Sequence, residues 1–302
     1  MSMLDTLKDY SIVYSFDRSG FARHARQFSP IEDSHLIGKR YLVTGGTSGI
    51  GAALAQRLAE AGAEVLVTGR SRSRFEQSGL ESLGVGYIPL DMADFHQVMQ
   101  LKLPPIDGLV CNAGGMPGQL QLVNDEFDQI FASQVVGHYL LMRRCIESGL
   151  LTPGGSLHFT SSGGMYLKRL DLDDLCWQED GYDKVKSYAN AKRAQVILNE
   201  ELARRYPDFI FSASHPGWVG TQALQEALPG FARHFSKRLR SDEEGADTIY
   251  WCLCEGEKLP SGEFWFDRQS RPVYAFPWTR ESYTSRQRLM TLCATVWAET
   301  LG

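Results

Sequence analysis

Thr44-Gly45-Gly46-Thr47-Ser48-Gly49-Ile50-Gly51 follows the β-branched run Arg40–Thr44 and opens into the helical stretch Ala52–Glu60. Each of the three spaced glycines has a mechanical use in such a turn. Gly45 lets the chain reverse tightly, Gly49 lets backbone approach a diphosphate, and Gly51 lets the helix pack closely on the strand, while the first amides of that helix face the anion. Glycine-rich turns end many strands, and the weight of this one comes from its place between the first strand and the first helix of a βαβ unit. It predicts a dinucleotide site.

Outward from this turn, short apolar runs alternate with helical segments. Strands are expected at Arg40–Thr44, Glu64–Thr68, Gly86–Leu90, Gly108–Cys111, Ser156–Ser161, Phe209–Ser214 and Glu263–Asp267, with helices near 50–61, 94–101, 125–148, 183–205 and 242–254. The alternation predicts an α/β fold, a Rossmann-type doubly wound parallel sheet of seven strands with helices on both faces, and ligands beyond the carboxyl ends of the strands. We divide the chain into an aromatic-rich appendage over 1–37 (Tyr10, Tyr14, Phe16, Phe21, Phe28), a catalytic domain over 38–270 containing a substrate lid at 221–240, and a C-terminal extension with a helix over 271–302. The appendage can pack on the domain, on a second subunit or on a membrane surface.

The 302 residues carry 31 Lys and Arg against 36 Asp and Glu, a net charge of −5, which gives no overall positive field for nucleic acid or anionic lipid. Cys111, Cys145, Cys176, Cys252, Cys254 and Cys293 are scattered without metal-ligand spacing, so they read as reduced thiols and no metal site is expected. No apolar run reaches the length of a membrane span, and Asp5, Lys8 and Asp9 interrupt the N-terminus where a signal peptide needs its apolar stretch. The expectation is an unprocessed cytoplasmic protein with no integral membrane span.

The second strand ends Val67-Thr68-Gly69-Arg70. In such folds an acidic residue at this point binds a free ribose 2′-hydroxyl. Here glycine stands in its place and arginine follows, which favours a 2′-phosphate and hence NADP(H) over NAD(H). Arg72 and Arg74 either assist or are solvated. Farther on, Tyr188-Ala189-Asn190-Ala191-Lys192 sets a phenol and an ammonium one turn apart on a helix, downstream of a strand that ends Thr160-Ser161-Ser162. Alternation along that strand sends the two serines to opposite faces, so one is spent on structure.

These residues resemble the short-chain dehydrogenase/reductase superfamily. The likeness runs in order through Thr44–Gly51, Asp91, Asn112-Ala113-Gly114, Ser161-Ser162, Tyr188 to Lys192, and Pro216-Gly217 with Thr221. Within it, the runs Ser161–Met165, His215–Trp218, Leu228–Phe231 and Arg240–Thr248 look like the dehydrogenase/reductase member 12 subfamily. The resemblance implies that Tyr188 is the general acid or base, that Ser162 holds the substrate oxygen, and that Lys192 holds the nicotinamide ribose and, with the oxidised nicotinamide, lowers the phenol pKa. It implies cofactor contacts from Gly45, Thr47, Ser48, Gly49, Ile50 and Gly51. Arg70, Asp91 and Met92 follow, then Asn112, Ala113 and Gly114, with Pro216, Gly217, Val219 and Thr221 near the nicotinamide. Gln134 stands where many members have the asparagine of a water-mediated proton relay, so a relay would persist with shifted geometry. His138 and His215 have no nucleophile elbow around them and read as structural.

Met165 to Tyr182 forms an apolar insertion, and Leu224, Leu228, Phe231 and Phe235 form a stripe broken at Pro229-Gly230. Both point to a small apolar carbonyl or alcohol substrate under a mobile lid. The leading expectation is an NADP(H)-dependent oxidoreductase. The alternatives are a nucleotide-sensing regulatory protein with weak chemistry and an S-adenosylmethionine-dependent transferase, which has no use for the Tyr/Lys pair. Helices 125–148 and 183–205 carry more apolar residues than one sheet-facing stripe requires, which in this superfamily marks a homodimer face. Residues 1–37 and 283–302 are the competing cover for that face.

Overall fold

The computed structural model describes residues 12–178 and 181–301; Asp5, Lys8, Asp9 and Tyr10 lie outside the described residues. The main sheet contains β1 (Arg40–Thr44), β2 (Glu64–Gly69), β3 (Gly86–Pro89), β4 (Ile106–Cys111), β7 (Leu151–Thr160), β8 (Ile210–Ser214), β9 (Glu263–Phe266) and β10 (Gln269–Ser270). Its order is β10-β9-β8-β7-β4-β1-β2-β3. Every pairing is parallel except that of β10 with β9. Among the described residues the sheet therefore has eight strands, the seven expected and one more. The eighth arises because Asp267 and Arg268, at φ 48° and 58°, reverse the chain in two residues so that Gln269 pairs with Phe266. From β1 the chain winds to β2 and β3 on one side, and from β4 through β7, β8 and β9 on the other. The reversal between β1 and β4 opens a crevice at their carboxyl ends.

Strand alternation divides the core into two layers. Tyr41 and Val43 of β1 join Leu54, Leu58, Ile249 and Leu253 on one face, where helices α1 (Gly49–Glu60) and α4 (Asp242–Glu255) lie. Leu42 and Leu109 join the other face, covered by α2 (His138–Glu147) and α3 (Lys184–Arg205). The segment expected as one helix over 125–148 begins later. Asn124 and Asp125 turn a two-stranded hairpin of β5 (Leu122–Val123) and β6 (Phe127–Asp128), and the Asp128 carboxylate then caps the helix by accepting from the Ile130 and Phe131 amides. A π-helical turn spans Ala132–Gly137 before α2.

The apolar face of these helices does not await a second subunit. Helix α5 (Tyr283–Leu301) lays Leu289, Cys293, Val296 and Trp297 into the same layer as Tyr139, Met142 and Cys145, with the Arg143 guanidinium 4.6 Å above the Trp297 ring. The Glu281 carboxylate, bonded at both oxygens by buried Arg193, ties the extension to α3. The dimer expectation thus loses the exposed surface on which it rested. The described part of the appendage packs on the domain: Phe16 meets His215 and Phe266 edge to face, and Arg18 donates its amide to the Arg238 carbonyl. No helix among the described residues is long and apolar enough to cross a membrane.

Two predictions follow from burial. Light scattering at micromolar concentration should give a mass near 33.8 kDa; twice that value would mean that another surface pairs. The second concerns His138, His158 and His215, which burial pushes down to a pKa of about 3 and keeps neutral. The unfolded chain takes up their protons first, near pH 6.5, so the stability they contribute is present above that pH and lost as pH falls toward 3. At ~1.4 kcal/mol per group per pH unit, urea unfolding at pH 5 should show roughly 3–6 kcal/mol less stability than at pH 7. A flat profile between those values would show that the fold accepts these protons.

Candidate active site

The glycine-rich turn is shaped by contacts that leave no room for side chains. Gly45 has φ 64°, and a Cβ there would stand 2.7 Å from Ala113 Cα. A Cβ on Gly51 would lie 2.5 Å from both Asn112 Nδ2 and the Gly45 carbonyl. Ser48 at the start of α1 makes no side-chain capping bond, so the first amides of that helix remain open to an anion. Gly69 has a comparable constraint, since a Cβ would fall 2.7 Å from Thr47 Cγ2. An acidic side chain is therefore excluded from the end of β2 unless Thr47 moves. Arg70 is exposed just beyond, its nearest guanidinium nitrogen 4.0 Å from Asp91. The residues fit a nicotinamide dinucleotide: uncapped helix amides for the diphosphate, and an exposed arginine only loosely paired with Asp91, with glycine at the end of β2.

The hydroxyl of Thr44 organises the turn beneath. Its Oγ1 accepts from the amides of Asn112 at 2.9 Å and Ala113 at 3.0 Å, and lies 2.9 Å from His138 Nε2. Because His138 Nδ1 faces the Gln134 carbonyl at 3.0 Å it must carry the proton, which makes Nε2 an acceptor for the threonine. The Asn112 side chain donates to the Thr44 and Gly45 carbonyls, so it braces the turn from below. Gly114 abuts Gln134, whose Nε2 donates to the Gly115 carbonyl. Met92 is a core residue at 4% exposure, and its backbone carbonyl lies against Gly137.

At the end of β7 the two serines separate as alternation requires. Ser161 Oγ donates to the Lys192 carbonyl, whereas Ser162 Oγ accepts from the Gly164 amide and lies near enough to the Tyr188 phenol to lower its pKa. Tyr188 and Lys192 both belong to α3, which Asp183 caps through the Val185 and Lys186 amides. Burial pushes the Tyr188 phenol above its ordinary value and the nearby Ser162 hydroxyl pulls it part of the way back. The ammonium stands 5.3 Å from the Tyr188 ring centroid and spends its donors on the Thr160 carbonyl at 2.8 Å and Gln195 Oε1 at 3.1 Å. Burial also brings Lys192 itself down to about 7.

The turn after β8 rests on a buried arginine that the sequence reading passed over. Gly217 has φ 82°, and a Cβ there would strike Arg240. Arg240 donates to the Pro216 carbonyl, the Ser15 and Asp17 carbonyls and both oxygens of Asp267, which His24 also meets at 2.6 Å. Val219 bridges to Arg240 and packs on Gly245, and Thr221 caps the first lid helix, Gln222–Ala227, with its methyl 3.2 Å from where a Gly49 Cβ would stand. The second lid helix, Pro229–His234, follows after Leu228. The aromatic stripe turns inward: Phe231 and Phe235 close on Trp218 at 5.0 and 5.1 Å. Lys184 Nζ donates to the Ala227 carbonyl and fastens the lid to α3. A separate cavity of about 360 Å³ opens at the amino end of the sheet among His35, Lys39, Asp107 and Glu257, away from every one of these groups.

Residues 39–169 match the family described as short chain dehydrogenase. The chain is 32% identical over 278 residues to dehydrogenase/reductase SDR family member 12 of Bos taurus, with 86% of each chain covered. It belongs to the short-chain dehydrogenase/reductase family. Among solved structures, an uncharacterised protein from Mycobacterium paratuberculosis shares the fold of this dehydrogenase/reductase with a TM-score of 0.66 at 23% identity, over 90% of this chain and 96% of the other. A short chain dehydrogenase from Burkholderia cenocepacia J2315 in complex with NADP gives 0.60 at 25% identity, over 76% and 96%. In this dehydrogenase/reductase, Arg240, Asp267, His24 and Gln195 are the site-supporting residues that motif reading missed. Gln195 left one faint signal, a polar residue one turn beyond Lys192 in the apolar run Ala194–Leu198.

Proposed function

We propose that the protein is an NADP(H)-dependent oxidoreductase that interconverts a small apolar carbonyl compound and its alcohol. The observation that carries this reading is the proximity of Ser162, at the carboxyl end of β7, to the Tyr188 phenol, which shares its helix with Lys192, 5.3 Å from the ring, in a fold whose α1 starts uncapped. A bound nicotinamide dinucleotide supplies the hydride. Ser162 Oγ holds the carbonyl oxygen, and Tyr188 delivers the proton to it, or removes it in the reverse direction. A phenol left above its ordinary pKa is a protonated donor throughout the physiological range, which suits reduction. Oxidation needs a positive charge near the hydroxyl to draw the proton off.

The apolar character of the substrate is supported by the cleft's surroundings, where Leu167 and Val185 are exposed and the lid presents Leu224 and Leu228 half-buried. NADP(H) is supported by Arg70 and by the steric exclusion of an acidic residue at Gly69. One feature favours the nucleotide-sensing alternative: glutamine stands at the relay position, with its Nε2 committed to the Gly115 carbonyl. Turnover of NADPH with a panel of apolar aldehydes and ketones, read at the nicotinamide absorbance band, separates the two.

Two variants test the assignment. Titration calorimetry should show NADPH binding at least about ten-fold tighter than NADH, since a charge-assisted contact contributes ~1.5–3 kcal/mol, and Arg70→Ala should lose most of that preference. Equal wild-type affinities would remove the basis for NADP(H). Tyr188→Phe should lose about 10²–10⁴-fold in turnover while still binding NADPH. Retention of more than about a tenth of the activity would mean another group delivers the proton.

A further inference from the structure

Gln195 lies 0% exposed between the catalytic lysine and the π-helical turn. Its Oε1 accepts from Lys192 Nζ at 3.1 Å and its Nε2 donates to the Gln134 carbonyl at 2.8 Å. Both neighbours dictate the amide's orientation, because a flip would set donor against ammonium and oxygen against carbonyl. The Gln134 carbonyl is in turn held by His138 Nδ1, and His138 by the Thr44 hydroxyl. A chain of hydrogen bonds through Gln195, the Gln134 backbone carbonyl and His138 therefore joins Lys192 to Thr44 under the glycine-rich turn. We propose that Gln195 is a positioning residue that holds Lys192 in its charged form and in its place beside Tyr188, through this bridge to the Gln134 backbone. The role in turnover rests on the oxidoreductase reading; the hold on the lysine does not.

The chemistry favours a hold rather than a conduit. A water molecule passes a proton on by accepting and donating at one oxygen, whereas an amide accepts at oxygen and donates at nitrogen and keeps its own protons. Lys192 is otherwise disfavoured as a cation by its burial, and the Gln195 carbonyl together with that of Thr160 supplies the acceptors that oppose this. The titratable groups facing Lys192 are Tyr188 on its own helix, Cys111 at the end of β4 and His138 on α2. Burial raises the Cys111 thiol well above its usual range and keeps His138 neutral, and the phenol is raised as well, so Lys192 is the group in this cluster that changes charge near neutrality.

The test compares Gln195→Met, which keeps the length and loses the acceptor, with Gln195→Glu, which sets a carboxylate against the ammonium. The first readout is the titration of the Lys192 side-chain ¹⁵N signal in the cofactor-free full chain, assigned with Lys192→Arg. The second is the pH dependence of kcat with NADPH and whichever aldehyde turns over. Gln195→Met should move the lysine midpoint down by about one unit or more, a ten-fold change in its protonation equilibrium, and Gln195→Glu should move it up by at least as much. The pH limb of kcat should follow in each variant, whereas a merely structural loss would lower kcat without moving the limb. If Gln195→Met fails to fold, Gln195→Glu decides alone. A lysine midpoint unchanged in the folded variants overturns the proposal. Absence of turnover in the wild type with every carbonyl would instead count against the oxidoreductase reading and leave the ¹⁵N titration to decide on Gln195.

Discussion

One buried hydroxyl supports both halves of the site. Thr44 Oγ1 takes the amides of Asn112 and Ala113 at the point where β1 and β4 diverge, and no other side chain bonds to those two amides. Removing it would take the partner from the Ala113 amide, at a cost of ~1–3 kcal/mol if left unmet, while the Asn112 amide keeps the Val110 carbonyl at 3.1 Å. The same hydroxyl meets His138, and from there hydrogen bonds pass through the Gln134 carbonyl and Gln195 to Lys192. The glycine-rich turn and helix α3 come from distant parts of the chain. Their relative position is set by directional bonds in addition to packing.

A second buried hub governs the opposite wall. Arg240 and Asp267 are each about 1% exposed, a placement that only a paired and fully hydrogen-bonded charge tolerates. Arg240 bonds to both oxygens of Asp267 and to carbonyls of the appendage and the Pro-Gly turn. The appendage is thereby joined to the loop that leads into the lid, and Asp17 adds its own bonds to Arg238 and Ser19. Breaking such a pair from one side leaves an uncompensated buried charge, so its partners are constrained together. This gives the first described residues of the chain a role in shaping the cleft.

Helix α5 packs on α2 and α3 within the chain. The surplus of apolar residues along the segment 125–148 is real, and Ile130, Phe131, Val136 and Tyr139 are all essentially buried. What conceals them is supplied by the chain itself: α3 lies against the segment 129–137, and α5, with the Glu281–Arg193 pair that anchors the segment preceding it, lies against α2 and α3. An apolar surface must be covered, but the hydrophobic effect is indifferent to whether the cover is intramolecular.

Local sequence rules were enough for the elements whose physics is local. Glycines at 45, 49 and 51, the alternating runs of β1 and β4, and the one-turn spacing of Tyr188 and Lys192 each follow from backbone geometry over a few residues. The seven parallel strands were therefore legible, as was the separation of Ser161 from Ser162. Properties that depend on which distant groups share a low-dielectric space were not. The phenol of Tyr188 is raised by burial, and Lys192 spends its donors on Thr160 and Gln195. Arg240 gives no local sign that it will meet Asp267, 27 positions on. The start of the helix at Gln129, the eighth strand after Asp267 and the covering of the apolar face by α5 belong to the same class. A sequence pattern states what each residue can do with its neighbours in the chain; only the tertiary structure decides which partner satisfies a buried charge, hydroxyl or apolar face, because that choice is made across the core.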